Sequence, residues 1–87
     1  MLAQNKRSLV RMRDNSQVAL LDNENRFGYY SDLLDDVEEQ LKTSPSSAAL
    51  QVEKQMLQKK VSVTEKKIDF YRERGKKAEE LLQGRSI

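Results

Sequence analysis

The single proline of this 87-residue chain, Pro45, stands almost at its midpoint, inside Thr43-Ser44-Pro45-Ser46-Ser47, with long stretches free of helix breakers on both sides. Proline has no amide hydrogen to give a helix and its ring clashes with the preceding turn, so it belongs at a helix start or in a turn. The serines and threonine beside it bond readily to nearby backbone and favour the same outcome. A turn at 43–47 therefore divides two helices, about 3–42 and 46–83. Ser44, with Pro45 as the first helical residue, is one candidate N-cap for the second helix, and Ser46 or Ser47 is the alternative. Gly84, after Leu81-Leu82-Gln83, is expected to end that helix as a left-handed cap.

Each half carries a heptad repeat. In the second half Leu50, Leu57, Thr64, Tyr71 and Ala78 alternate with Val61, Ile68 and Leu82, with Lys54 and Gly75 as weak members. Steps of three and four residues place all of these on one helix face, the seam of a coiled coil. In the first half Leu20, Phe27, Leu34 and Leu41 alternate with Tyr30 and Val37, thinning upstream to Leu9 and Leu2. An antiparallel hairpin must set an a position of one helix against a d position of the other. Pairing residues whose numbers sum to 91 does so along the whole length, from Leu41 with Leu50 to Leu9 with Leu82, and independently puts the turn at Pro45-Ser46.

The fold class read from this agreement is all-α: one domain over 1–87, an antiparallel two-helix coiled-coil hairpin that belongs in a larger bundle or complex. At 1.5 Å per residue the rod is about 55 to 60 Å long. Layers near the turn are large and apolar, whereas Ser16 with Gly75 and Arg13 with Ala78 offer little to bury. The end remote from the turn is therefore expected to be loose, and residues 1–14 a basic, weakly ordered arm. Gly28, on the solvent side of the first helix, is a candidate bend.

Charge is segmented: residues 1–13 carry +4, residues 14–42 carry −6 and residues 43–87 carry +4. In the 91 register the acids from Asp32 to Glu39 lie beside Lys54, Lys59 and Lys60. Asp22 and Glu24 lie beside Lys66 and Lys67, and Arg11 and Arg13 beside Glu79 and Glu80. Such exposed pairs orient helices more than they stabilise them.

Composition narrows function. The chain has no cysteine and no histidine, which removes thiol chemistry, disulfides, the commonest general base and the commonest zinc ligand. Asp35-Asp36 and Glu38-Glu39 fan outward on a helix, with no apolar pocket to raise one carboxyl pKa above another. Tyr29-Tyr30 and Tyr71 read as packing residues. No enzyme activity, cofactor, metal site or small-molecule substrate is expected. No apolar run is long enough for a membrane span and no secretory signal is evident, so the expected location is cytoplasmic.

Several apolar residues lie off the seam. Ala49, Met56, Val63 and Phe70 recur every seven residues, with Val52 and Leu81 nearby, and Val18, Leu21, Tyr29 and Leu33 are left over on the first helix. Scattered exposed apolar residues are ordinary. A seven-residue recurrence is instead what a second helix-packing interface requires, so Met56, Val63, Phe70, Leu81, Leu21, Tyr29 and Leu33 are the candidate protein-interaction residues. Lys6, Arg7, Arg11 and Arg13 form a basic cluster that could contact phosphates, which makes a nucleic-acid accessory role the alternative. The pairs Lys59-Lys60, Lys66-Lys67 and Lys76-Lys77 read as a solvated edge or a contact for an acidic partner.

From Pro45 to Gln55 the sequence PSSAALQVEKQ resembles the turn and second-helix start of type III secretion needle subunits, which are short helical hairpins. The second proline common in that family is absent, and the charge-rich stretch from Lys66 to Leu82 departs from a needle's more apolar tail. The resemblance implies a self-polymerising subunit or a small hairpin chaperone that sequesters one. The function expected from the sequence is that of an assembly, adaptor or chaperone protein whose partners are helices of its own kind or of another protein.

Overall fold

The computed structural model describes residues 5–85, which form two α-helices of 38 residues each, α1 (Lys6–Thr43) and α2 (Ala48–Arg85). They pack side by side as an antiparallel hairpin, 62 × 21 × 14 Å overall. The radius of gyration is 19.0 Å, against about 12 Å for a compact chain of this length. The molecule is a rod whose only core is the line between its helices.

α1 starts three residues later than expected, because Asn5 caps it: its side-chain oxygen accepts a hydrogen bond from the Ser8 amide at 2.8 Å. The arm residues 6–13 are helical, and residues 1–4 lie outside the described residues. α1 runs through Gly28 without interruption. At its end the Ser44 amide and the Thr43 hydroxyl both donate to the Gln40 carbonyl.

The reversal is a four-residue turn, Ser44 to Ser47, closed by the Ser47 amide donating to the Ser44 carbonyl at 3.2 Å. Pro45 takes the second position, where its fixed φ suits the turn. Of the three serines, Ser47 is the cap of α2: its hydroxyl accepts from the Leu50 amide. Gln51 donates back to the Pro45 carbonyl at 2.9 Å, tying the first turn of α2 to the loop. α2 therefore begins at Ala48 rather than 46. It also continues through Gly84 to Arg85, and no glycine has positive φ, so the left-handed cap expected at Gly84 does not form.

The seam is the one set by the 91 register. Every seam residue from Leu9 to Leu41 and from Leu50 to Leu82 is buried or half-buried. Ser16 lies opposite Gly75, so close that a Cβ on Gly75 would stand 3.5 Å from the Ser16 Cβ. Burial along the seam, however, does not follow the expected gradient: Val37 and Leu57 are buried near the turn, but so are residues at the far end. The most buried residues are Leu9, Ser16 and Ala78, at the end remote from the turn, whereas Leu20, Phe27, Leu34 and Leu41 remain half-buried. Small side chains bury little area each, but they let the backbones approach and leave their neighbours less exposed. Large side chains hold two helices apart, and with no third helix their flanks stay wet.

Three polar side chains are buried in the seam. Asn23 and Thr64 donate to carbonyls one turn back in their own helices, to Ala19 at 2.8 Å and Lys60 at 2.6 Å. The Ser16 hydroxyl has no partner, which fits a serine whose small size is what the site demands.

Gly28 has nothing within 4 Å of a would-be Cβ, so Gly28→Ala should stabilise the hairpin by about 1 kcal/mol through helix propensity alone. Gly75→Ala should also be tolerated, since it would add an ordinary contact. Gly75→Leu must push the helices apart and should cost about 1 to 3 kcal/mol. Denaturant unfolding of the three variants checks this order, and a silent Gly75→Leu would contradict the close approach.

Candidate protein-interaction surface

A two-helix coiled coil has two long flanks, and here they differ in kind. In an antiparallel pair the e positions of both helices share one flank and the g positions share the other.

The first flank is polar and closed by ions. Arg13 bonds Glu79 at 3.3 Å, Lys54 approaches Glu38 at 3.9 Å and Arg72 approaches Glu24 at 4.0 Å. All three pairs cross between the helices on this side. Two join the segments that the 91 register sets together. In the third, Glu24 meets Arg72 instead of Lys66 or Lys67. Shallow concavities here are lined by Gln17, Tyr71, Arg72 and Glu79 at one end, and by Leu41, Gln51, Lys54 and Gln58 near the turn.

The second flank is apolar at its centre and charged at its margin, where Glu53, Asp69, Glu73 and Glu80 stand among a larger number of lysines and arginines. Near the turn, Leu33 of α1 meets Ala49, Val52 and Met56 of α2 around a shallow depression edged by Lys60. At mid-rod, Val63 lies among Arg26, Lys60 and Lys67, with Lys60 over the Tyr30 ring at 5.3 Å. Toward the termini, Met12 joins Phe70, Arg74 and Lys77, and the Phe70 ring leans edge-on against Tyr71 at 5.1 Å. Among the described residues no ion pair joins the helices on this flank.

Met56, Val63 and Phe70 are each more than half exposed, and Leu81 is 42% exposed. These are large apolar side chains left in water as a row, and each fully buried one would contribute about 1.5 to 3 kcal/mol. Leu33 stands in this row. Tyr29 sits at its α1 edge, exposed, its ring against Tyr30. Leu21 does not belong to it: twelve residues before Leu33, it is turned about 120° away on the back of α1, with exposed Val18 beside it. Met12, which the sequence reading left out of the row, belongs to it. Its seven-residue spacing to Ala19 and thence to Arg26 and Leu33 was the signal available.

The basic cluster is divided. Arg13 is held by Asp14 at 3.2 Å and by Glu79, and its guanidinium pKa is raised, first by the bond to Asp14. Lys6, Arg7 and Arg11 are exposed, without an ion-pair partner among the described residues. Among those residues, too, no helix is long and apolar enough to cross a membrane, and no group of acids is arranged to hold a metal ion.

Comparison with known proteins finds no match: no family model, no curated protein and no solved structure resembles this chain closely enough to count as related. The needle-like turn at 45–55 stands on those eleven residues alone.

The split between seam and flank separates folding from binding within adjacent residues. Leu57→Ala, in the seam, should cost the isolated chain about 2 to 5 kcal/mol. Met56→Gln, on the flank, should change it by no more than about 0.5 kcal/mol. Circular dichroism melts at high dilution check the contrast, and equal losses in the two variants would contradict it.

Proposed function

We propose that this protein is a non-catalytic coiled-coil assembly, adaptor or small chaperone protein of the cytoplasm, acting by packing helices against itself or a partner. One observation carries the reading. A row of large apolar side chains, Met56, Val63 and Phe70, lies exposed along one flank beside half-buried Leu33, while the opposite flank carries the interhelical ion pairs. A surface built only to be solvated would not concentrate its apolar residues on one side.

Area supports the same reading. A compact monomer of 10.1 kDa would expose about 5,300 Å², whereas this chain exposes 6788 Å². The excess, about 1,500 Å² on one chain, is more than the roughly 800 Å² that each partner gives to a standard protein interface. The absence of histidine and cysteine supports a role without catalysis. Nucleic-acid binding through the basic cluster draws less support, because Arg13 is already paired within the chain, leaving three exposed cations for phosphate contact.

The double substitution Met56→Gln/Phe70→Gln should leave the helicity of the dilute chain intact. It should also weaken association, with itself or with a helical partner, by about tenfold or more. Sedimentation across a concentration series reads the effect. A wild-type chain that is strictly monomeric and fully stable at every dilution, with the double variant silent, contradicts the proposal.

A further inference from the structure

We infer that the partner covering the apolar flank is an acidic amphipathic helix of another protein, its apolar line seated on Met56, Val63 and Phe70 and its carboxylates set among Lys59, Lys60, Lys66 and Lys67. The inference rests on the assembly reading above and names the chemistry of that partner.

Positive charge is left uncompensated at one place on this flank. Near the turn the depression around Met56 sets Glu53 against Lys60, and toward the termini the concavity around Phe70 and Met12 holds Asp69, Glu73 and Glu80 among its cations. The concavity at mid-rod differs. Around Val63 it is lined by Arg26, Lys59, Lys60 and Lys67 and by no carboxylate. Lys66, one heptad on from Lys59, stands beside Phe70 at the edge of the next concavity. Of the neighbouring acids, Asp22 is bonded to Arg26 at 3.3 Å and Asp69 lies 3.8 Å from Arg72. None of Lys59, Lys60, Lys66 and Lys67 forms an ion pair among the described residues, and Lys60 lies over the Tyr30 ring at 5.3 Å.

A partner that buries the apolar row must lay its edges over these four ammonium groups. Neutral edges would take them from water without a bond and basic edges would repel them, so acidic edges are selected. Spacing then selects a helix. Met56-x-x-Lys59-Lys60 recurs seven residues later as Val63-x-x-Lys66-Lys67, and Phe70 opens a third repeat in which Glu73 takes the place of the first lysine. Seven helical residues rise about 10.5 Å, and a partner that offers apolar and acidic groups at that pitch is a helix with a heptad of its own. A phosphate backbone answers the lysines and leaves the apolar row wet. An anionic lipid surface that took up Phe70 would meet Asp69 and Glu73 beside it. The lysine frame from Met56 to Phe70 is about 21 Å long, four turns of a partner helix.

The probe is a synthetic three-heptad peptide with leucine along one line and glutamate on both borders, and its control carries lysine in place of glutamate. Fluorescence anisotropy of the labelled peptides, titrated with the full chain, reads binding. The glutamate peptide should bind at least about tenfold more tightly than the lysine peptide, and less tightly as salt is raised. Lys59→Glu/Lys66→Glu, both exposed and outside the seam, should keep its helicity by circular dichroism, lose about tenfold or more in affinity for the glutamate peptide and reverse the preference. Met56→Gln/Phe70→Gln should weaken the glutamate peptide by a similar factor.

Equal affinity for the two peptides, or none for the glutamate peptide, overturns the acidic helix. Sedimentation of the chain alone separates that failure from failure of the assembly reading: self-association lost in Met56→Gln/Phe70→Gln makes the occupant a second copy and leaves that reading standing. Binding to phosphatidylserine vesicles or to duplex DNA that is lost in Lys59→Glu/Lys66→Glu, with the glutamate peptide unbound, also overturns the helix. A chain that binds neither peptide and stays monomeric, with both double variants silent, overturns both.

Discussion

Two helices of 38 residues can slide past one another unless something sets their offset, and here the four-residue turn from Ser44 to Ser47 does so. The Ser47–Ser44 hydrogen bond, the Ser47 cap and the Gln51–Pro45 bond leave little freedom at the point where the chain reverses. Every layer downstream inherits that offset. Because it aligns a with d over ten layers, a single register satisfies the turn and the seam together, and the place of every flank residue follows from it.

Along the seam, size governs approach. Gly75 admits the Ser16 side chain to 3.5 Å of where its own Cβ would stand, whereas Leu20, Phe27, Tyr30 and Leu34 stay half-buried. Ser16 and Ala78, in layers that look weak in the sequence, are accordingly among the most buried residues of the rod. Counting apolar side chains assigns strength to the half near the turn. It overlooks that a large residue between only two helices keeps one side in water. The same half-exposure is the physical reason the rod remains incomplete by itself, with apolar area exposed along its length and concentrated on one flank.

Much of this was legible in the residues. The turn, the two seams, their register and the row of Met56, Val63 and Phe70 all follow from spacing, because heptad geometry is local and periodic. The helix ends were less so: Asn5, Ser47 and Gly84 each offered a plausible cap, and which of them acts depends on hydrogen bonds that spacing does not reveal. The shape of the interaction surface was also hidden. Leu21 and Leu33 look equivalent as spare apolar residues, but only one stands on the flank shared with α2, and Met12 joins that flank through its position opposite the end of α2. The flanks become distinguishable once both helices are placed together, since each is built from positions more than 40 residues apart in the chain for about half of its length.

The claim on which all of this depends is that the seam closes within one chain, leaving a flank free for a partner. It is tested by the distance between labels at Gln17 and Arg72, both on the polar flank, in doubly labelled chains diluted into an excess of unlabelled protein. Packed helices place the two backbones about 10 Å apart. A single uninterrupted helix would place them about 80 Å apart at 1.5 Å per residue. A short distance that persists at every dilution is the expected result, and a separation of tens of ångströms would show that the chain pairs only with others and would contradict the hairpin.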